Sequence, residues 1–212
     1  MTNFIAIFPL ALVLYPGEAL NLHIFEPRYK QMIQECLEEK KPFGVLPVID
    51  GQVKEYGTLT EIAEVVKVYE DGRMDVRTKG VQVFRVLELV KSLPDKLYSG
   101  AIVSYPENEQ IEISQGLANL IINEVTRLYK LLKEEAKLPP DFKDWNSYMF
   151  AQKSGLTPVQ SYELLTIFNE MQRLEYLRRH LNNMKPVLEE LELLKARIQM
   201  NGHFRDLSAH DL

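Results

Sequence analysis

The sequence has little of what most catalytic and metal sites are built from. Its 212 residues include one cysteine and four histidines. One cysteine excludes an intrachain disulfide and a CxxC metal knuckle, and no two histidines have the HExxH spacing of a zinc helix. The chain contains no GxxxxGK[ST] loop, no GxGxxG turn and no GxSxG elbow. We therefore expect a protein without catalytic residues, metal or cofactor.

Charge and long apolar runs are also limited. There are 25 Lys and Arg residues against 30 Asp and Glu residues, a formal net charge of −5. This balance does not favour binding to nucleic acid or an acidic membrane through overall charge. The apolar stretch 1–14 lacks a basic start, contains Pro9 and is too short to span a bilayer, so it is predicted to be a buried strand. Without an export signal, and with one cysteine, a cytoplasmic protein is expected.

Glycine and proline divide the chain near residue 108. Seven of the ten glycines and seven of the eleven prolines lie in residues 1–108. This distribution predicts an α+β fold, in which residues 1–108 form a β-rich subdomain with one helix. Residues 109–212 are predicted to form a helical bundle that ends in a loose tail from about residue 201.

Residues 1–108 contain the sequence patterns of turns and strands. Asp-Gly pairs at 50–51 and 71–72 predict hairpin turns, because this pair adopts positive φ readily. Strict alternation predicts a strand over 62–69 with Ile62 and Val65 on opposite faces. The alternation over 81–90 slips near Phe84 and Leu87, which indicates a bulge or burial of both faces.

Residues 109–212 contain apolar residues at helical spacing and residues typical of helix caps. The first helix is predicted to carry an apolar stripe from Leu117 to Leu132 and to end before the prolines at 139–140. A short helix is predicted from Asp144 to Ser154. Thr157 begins a capping box, with proline at the first helical position, for a helix that reaches Leu181.

The last predicted helix carries a possible coiled-coil seam. Pro186 is expected to start or kink this helix, and Gly202 is expected to end it. Its apolar residues have the 4-3-4 spacing of a seam: Val187, Leu191, Leu194 and Ile198. Docking onto the bundle is the preferred interpretation, and self-association through this helix is the alternative.

Several stretches together carry a resemblance to a known family. In the opening they are FPL (8–10), VLYPGE (13–18) and LHIFEPRY (22–29). Later they are FGV (43–45), GTLTEIAEV (57–65), DGR (71–73) and VFRV (83–86), followed by the helix QRLEYL (172–177). These stretches resemble the N-terminal domain family of Lon proteases. The sequence departs from the family pattern at 81–83, where the family often has an arginine before its phenylalanine.

The resemblance implies a fold and a function. The implied fold is a twisted, PUA-like β-barrel subdomain followed by helices. The implied function is that of a non-catalytic, stand-alone recognition module that binds polypeptides, either unfolded or partner proteins, because the ATPase and protease motifs of full-length Lon are absent from these residues. RNA binding by a PUA-like fold is the alternative, and the acidic balance counts against it.

The residues that carry the resemblance are expected to be mainly structural. Glu26 and Arg28 are too close along a helix to face each other, so each is expected to meet a distant partner. Phe25 and Tyr29 are expected to pack on either side of the helix start, and His23 to face away from the core. Cys36, on the apolar stripe of the same helix, is expected to be a buried structural thiol. The candidate site residues are Pro16, Gly17, His23, Phe25, Glu26, Pro27, Arg28, Tyr29, Gly57 and Glu61.

Overall fold

The computed structural model of the chain describes residues 3–109, 114–131 and 146–207. In chain order its elements are β1 (Asn3–Leu10), β2 (Ala19–Ile24), α1 (Pro27–Glu39), β3 (Phe43–Ile49), β4 (Gln52–Val53), β5 (Tyr56–Val68), β6 (Met74–Val90), β7 (Gly100–Ser104), α2 (Gln115–Leu131), α3 (Ser147–Ala151), α4 (Pro158–Leu165) and α5 (Glu170–Leu207). None of the helices in this part of the chain is both long and apolar enough to cross a membrane. The predicted α+β order, strands with one helix and then helices, is confirmed.

Five strands pair in a closed ring. The order is β1, β7, β6, β5, β3, and β3 pairs again with β1. The β1–β3 pair is parallel, with Ile7–Leu10 beside Gly44–Pro47, and the other pairs of the ring are antiparallel. β2 pairs with the first half of β6, and β4 extends β3 as a hairpin. The pairing confirms the expected barrel-like subdomain.

The apolar core has two parts, and β1 contributes to both. Its successive side chains point in opposite directions. Ile5 and Ile7 join a cluster with Phe84 inside the ring of strands. Phe8, in contrast, joins a second cluster in which the apolar stripe of α1 packs on the barrel, with Met32 fully buried. The amphipathic sequence of α1 therefore fixes that helix against one side of the barrel.

Both Asp-Gly pairs lie in turns, as predicted. Asp50 and Gly51 have φ values of 54° and 73° and join β3 to β4. At the second turn only Gly72 has positive φ, 77°, and a longer loop joins β5 to β6.

β6 is a single strand of 17 residues that contains the predicted segment 81–90. One register shift lies between Val86 and Glu88, as the slip near Leu87 predicted. The other shift is opposite Leu59 and Thr60, where Val81 is the extra residue. The slip placed near Phe84 is thus corrected to a bulge three residues earlier.

The predicted faces of β5 are partly wrong. Ile62 and Val65 were expected on opposite faces, but both pack on the cluster beneath α1. The pairing with β6 shifts register between Ile62 and Glu64. This bulge adds one residue, so the alternation reverses beyond it.

The short helix α3 begins later than predicted. Asp144 lies outside the described residues, as do Leu132 and the prolines at 139–140. The N-cap of α3 is Asn146, whose side-chain oxygen accepts a hydrogen bond of 3.0 Å from the Met149 amide. An asparagine side chain here satisfies an amide that the first turn leaves unpaired.

The long helix predicted from Thr157 to Leu181 is two helices. The capping box at its start is confirmed, because Thr157 Oγ1 accepts from the Gln160 amide and Gln160 Oε1 accepts from the Thr157 amide. α4 then ends at Leu165. Asn169 caps the next helix, since its side-chain oxygen accepts from the Gln172 amide at 3.2 Å.

α5 continues through Pro186, which was expected to start or kink a helix, and through Gly202, which was expected to end one. Pro186 lies inside the helix and does not start a new one, and the helix passes Gly202 to reach Leu207. A proline costs about 3 kcal/mol in a helix interior and a glycine about 1 kcal/mol, but neither forces an end. The predicted loose tail is therefore helical as far as Leu207, and residues 208–212 lie outside the described part.

The chain divides into two compact units. The first contains Met1–Gln110 and Leu156–Arg173, and the second contains Ile111–Gly155 and Leu174–Leu212. In the first, the Tyr15 hydroxyl donates to the Ser161 carbonyl at 3.1 Å. Residues 156–173 thus belong with the strands, whereas the sequence grouped everything after residue 108 together. The domain boundary predicted near residue 108 stays a prediction.

Candidate functional site

The turn at Pro16 and Gly17 is tied to β6. Gly17 has a φ of 83°, and its amide donates to the Gly80 carbonyl at 2.8 Å. The Gly80 amide donates in return to the Glu18 carbonyl at 2.9 Å. A Cβ on Gly80 would lie 2.4 Å from the Tyr15 carbonyl oxygen. These close backbone contacts give the turn a structural role.

Glu26 and Arg28 pair with each other, so the expectation of distant partners is wrong. The Arg28 guanidinium donates to Glu26 Oε2 from Nε, at 2.8 Å, and from a second nitrogen, at 2.7 Å. Glu26 is the N-cap of α1 with extended backbone, ψ 136°, and Pro27 follows at the first helical position. The spacing rule for helix neighbours does not hold for a residue outside the helix. Both side chains are well exposed, so the pair adds little stability.

The two aromatic residues of the motif have different surroundings. Tyr29 is buried, with its ring centroid 4.1 Å from that of Phe8. Phe25 is 59% exposed and lies beside the His23 ring, 6.1 Å between centroids. Tyr29 therefore packs α1 against the barrel. Phe25 was predicted to pack beside the helix start, but it is mostly exposed.

His23 belongs to a polar cluster at the surface. Its Nδ1 lies 2.6 Å from Asp75 Oδ1, and the Tyr69 hydroxyl donates to Asp75 Oδ2 at 2.7 Å. The hydrogen bond from His23, and then that from Tyr69, hold the pKa of Asp75 below its usual value. The bond to Asp75 in turn raises the pKa of Tyr69. His23 faces outward, as expected.

Sequence reasoning missed Asp75 and Tyr69. The register of β2 and β6 places His23 opposite Asp75, and long-range pairing of this kind is not visible in one sequence. A histidine oriented by a carboxylate is half of a general-base arrangement. However, this pair is solvent-exposed and does not line the cleft described below.

Gly57 and Glu61 do not join that cluster. Gly57 is buried, and a Cβ there would lie 2.4 Å from the Val45 carbonyl oxygen and 2.8 Å from the Phe84 ring. Glu61 is exposed on β5, opposite Lys79 on β6. The ten residues of the sequence motif are therefore dispersed between a turn, a helix start, a barrel wall and an outer face.

A cleft lies near the other end of α1, and of its lining residues the sequence had singled out Cys36 alone. Its volume is about 240 Å³. Its lining comes from β1, from the end of α1 and the residues after it, and from the segment before β7: Phe4, Ile5, Ala6, Glu35, Cys36, Glu39, Lys41, Pro42, Lys96 and Tyr98. Phe4 is half-exposed at its edge.

The charges around the cleft are paired with one another. Glu35 Oε2 accepts from Lys96 Nζ at 2.6 Å and from the Tyr98 hydroxyl. Burial raises the pKa of Glu35, but these bonds outweigh it and the net pKa is below its usual value. Lys41 and Glu39 form a second pair at 2.6 Å. The cleft therefore presents compensated charge.

The cleft also contains the one thiol of the chain. Burial raises the pKa of Cys36 to about 11. The thiol is accordingly protonated at neutral pH and is a poor nucleophile and metal ligand. Within the described ranges, no three His, Cys, Asp or Glu side chains converge where a metal ion could be held.

Comparisons of the chain with family models, with curated proteins and with solved structures all point to the same family. Residues 5–183 match the family model of the ATP-dependent protease La (LON) substrate-binding domain. The Lon protease of Parabacteroides distasonis is 27% identical over 216 residues, which is 94% of this chain and 26% of that protein. Cereblon of Xenopus tropicalis is 34% identical over 80 residues, 36% of this chain and 18% of cereblon.

The name of a third relative combines a LON peptidase N-terminal domain with a RING finger. The LON peptidase N-terminal domain and RING finger protein of Schizosaccharomyces pombe is 32% identical over 98 residues, 37% of this chain and 20% of that protein. The chain thus spans about a quarter or less of the length of these relatives.

Solved structures agree. The Lon N-terminal domain protein from Xanthomonas campestris has a TM-score of 0.64 at 27% identity, over 82% of this chain and 96% of that one. The N-terminal domain of Mycobacterium avium complex Lon protease has a TM-score of 0.62 at 14% identity, over 85% and 98%, and shows the fold alone. With 5–183 matched by the family model, the chain belongs to the family of Lon substrate-binding domains.

Proposed function

We propose that this chain is a non-catalytic module that binds polypeptides, either unfolded segments or partner proteins. The observation that carries the proposal is the match of residues 5–183 to a model described as a substrate-binding domain. The substrates of a protease are polypeptides, so recognition of this class is the activity that the family description favours.

The side-chain chemistry of the described surfaces supports a binding role. The Cys36 thiol, with its pKa raised to about 11, is not an activated nucleophile. The His23–Asp75 pair is open to solvent, which weakens the electrostatic effects that catalysis requires. Cys36 is also a free thiol, which supports the predicted cytoplasmic location, because exported proteins favour disulfides.

The barrel surface favours a polypeptide over RNA. Five of its basic side chains each pair with a carboxylate: Arg28 with Glu26, Arg73 with Asp71, Arg77 with Glu64, Arg85 with Glu55, and Lys96 with Glu35. Nucleic-acid binders instead present a groove of uncompensated positive charge along the phosphate backbone. Paired charges of this kind offer little attraction to phosphates.

The direct test is binding to a polypeptide that stays unfolded. Reduced and carboxymethylated lactalbumin, labelled with a fluorophore, would be titrated with the chain and followed by anisotropy. We expect saturable binding, and none to native lactalbumin at the same concentrations. A parallel titration with single-stranded RNA at low salt should show no binding. Failure to bind the unfolded protein would contradict the proposal, and salt-dependent RNA binding would favour the alternative.

We also propose that α5 can pair with a second copy of the chain. The seam residues Val187, Leu191, Leu194 and Ile198 are all exposed along a continuous helix. In an antiparallel pair, Leu191 would meet Leu194 of the other copy, and Val187 would meet Ile198. Glu190 would then lie beside Arg197 of the other copy on both sides of the two-fold axis. This self-complementary charge pattern is what an isologous interface requires.

Sedimentation of charge variants tests this pairing. We expect the wild type to dimerise as its concentration rises and Leu191→Glu to stay monomeric. Glu190→Arg should also weaken the dimer, and Glu190→Arg with Arg197→Glu should restore it. A wild type that remains monomeric at high concentration would exclude the dimer, and an unrestored double variant would exclude the antiparallel arrangement.

A further inference from the structure

The first half of β1 has an open edge. Asn3–Ala6 pair with β7 on one side. On the other side, β3 pairs with β1 from Ile7 to Leu10, and the same register places its first residue, Phe43, beside Ala6. In the described part of the chain no strand lies beside Asn3–Ile5 on this side. An edge of this kind presents backbone groups that can pair with another chain.

The backbone direction can be assigned from one hydrogen bond. The Ile7 amide donates to the Ser99 carbonyl at 2.9 Å, on the side of β7. Backbone groups alternate between the two sides along an extended strand. The amide and carbonyl of Phe4 and the amide of Ala6 therefore point away from β7, towards the open edge. The Ala6 carbonyl points to the same side, but the first bridge of the β1–β3 pair, Ile7 with Gly44, already uses it.

The cleft adjoins this edge. It is lined by Phe4, Ile5 and Ala6, and its volume of about 240 Å³ is below the roughly 300–1,000 Å³ of most small-molecule sites. Such a space suits a side chain of a bound peptide better than a cofactor. Phe4 is 51% exposed at the edge of the cleft and offers an apolar surface next to the free backbone.

We propose that an extended, uncharged, apolar polypeptide segment pairs with Phe4–Ala6 as an added strand and places a side chain in this cleft. The inference rests on the proposed function and assigns its site. Because Glu35 pairs with Lys96 and Glu39 with Lys41, the cleft has no uncompensated charge to select a charged segment. Main-chain hydrogen bonds supply affinity, and the cleft supplies the preference for an apolar side chain.

Two phenylalanines provide a matched comparison. Phe4 and Phe25 are exposed to similar extents, 51% and 59%, but Phe25 does not line the cleft. Phe4→Ser should weaken binding of carboxymethylated lactalbumin by about tenfold, the loss typical of an apolar hot spot. Phe25→Ser should leave it unchanged within about twofold. Thermal melting of both variants would confirm that they are folded.

The backbone contribution has its own test. Ala6→Pro removes the Ala6 amide and should weaken binding. A short apolar peptide that binds the wild type should lose most of its affinity when alternate backbone nitrogens are methylated, because these amides can no longer pair with the edge. Binding should differ little between low and high salt, since the cleft charges are compensated. The methylated peptide remains decisive if Ala6→Pro does not fold.

The outcomes separate the site from the function. If the wild type binds no unfolded polypeptide, the proposed function itself fails. If it binds, and Phe4→Ser and the methylated peptide bind as strongly as their parents, polypeptide binding stands and this site is wrong. Weakening by Phe25→Ser in place of Phe4→Ser would move the site to the face that carries His23.

Discussion

Substitution of Gly57 by alanine should destabilise the barrel. The added Cβ would lie 2.4 Å from the Val45 carbonyl oxygen, whereas an ordinary contact is at least 3.4 Å, so β3 and β5 must separate locally by about 1 Å. The Phe84 ring, fully buried, blocks relief in the other direction. Overpacking of this severity costs about 3 kcal/mol, the upper part of the usual range. For a chain of this size, that loss lowers Tm by about 6–12 °C.

Circular dichroism with temperature measures this effect. The matched control is Gly116→Ala, because a Cβ at that helical position meets nothing within 4 Å and alanine favours a helix by up to about 1 kcal/mol. We expect the control to melt at or above the wild-type temperature. A Gly57→Ala variant that melts within about 1 °C of the wild type would refute the reasoning and reopen a binding role for Gly57.

Three further substitutions or treatments probe other contacts. Arg173 is fully buried and donates hydrogen bonds to Asn108, Ile167 and Glu170. Arg173→Met should therefore lower the free energy of unfolding, measured in urea, by about 3–5 kcal/mol. Adding Glu170→Leu should recover part of that loss, because it removes the carboxylate left unpaired. Thr157→Ala removes an N-cap and should lower the unfolding free energy by about 1 kcal/mol, an effect that Thr157→Ser should largely avoid. At pH 8, Cys36 should react with a thiol reagent about 100-fold more slowly in the folded chain than in urea, because its pKa is raised to about 11. The raised pKa stabilises the fold below the ordinary thiol value of about 9, and this contribution should diminish as pH rises towards 11; equal rates in the two states would contradict the assignment.

Local sequence rules predicted what depends on neighbours in the chain. The Asp-Gly turns, the Thr157–Gln160 capping box and the amphipathic α1 were all found where the pattern indicated. Each depends on residues within one turn of one another, so one sequence contains the information.

The misses arose where a nonlocal contact or an exception to a rule decided the structure. Glu26 pairs with Arg28 because Glu26 lies before the helix. Asn169 breaks the predicted long helix, and its backbone forms a bridge with Glu109, sixty residues away. α5 passes Gly202, which was expected to end the helix.

The candidate site was the part least open to prediction. The motif drew attention to His23 and Phe25, but Asp75 reached His23 only through strand pairing. The cleft combines β1, α1 and the segment before β7, and none of its residues except Cys36 had been singled out. A surface made from three distant segments has no counterpart in periodicity or spacing.

The long strand β6 has a consequence for cooperativity. Its residues 74–79 lie between β2 and β5, the pairing with β5 continues to Arg85, and β7 pairs with residues 85–90. Residues 74–79 cannot open without breaking ladders on both sides, so their amides should exchange with deuterium only when the whole barrel unfolds. The His23 face and the open edge of β1 then exist together or not at all, and a variant that lowers the folded population weakens both surfaces in equal proportion.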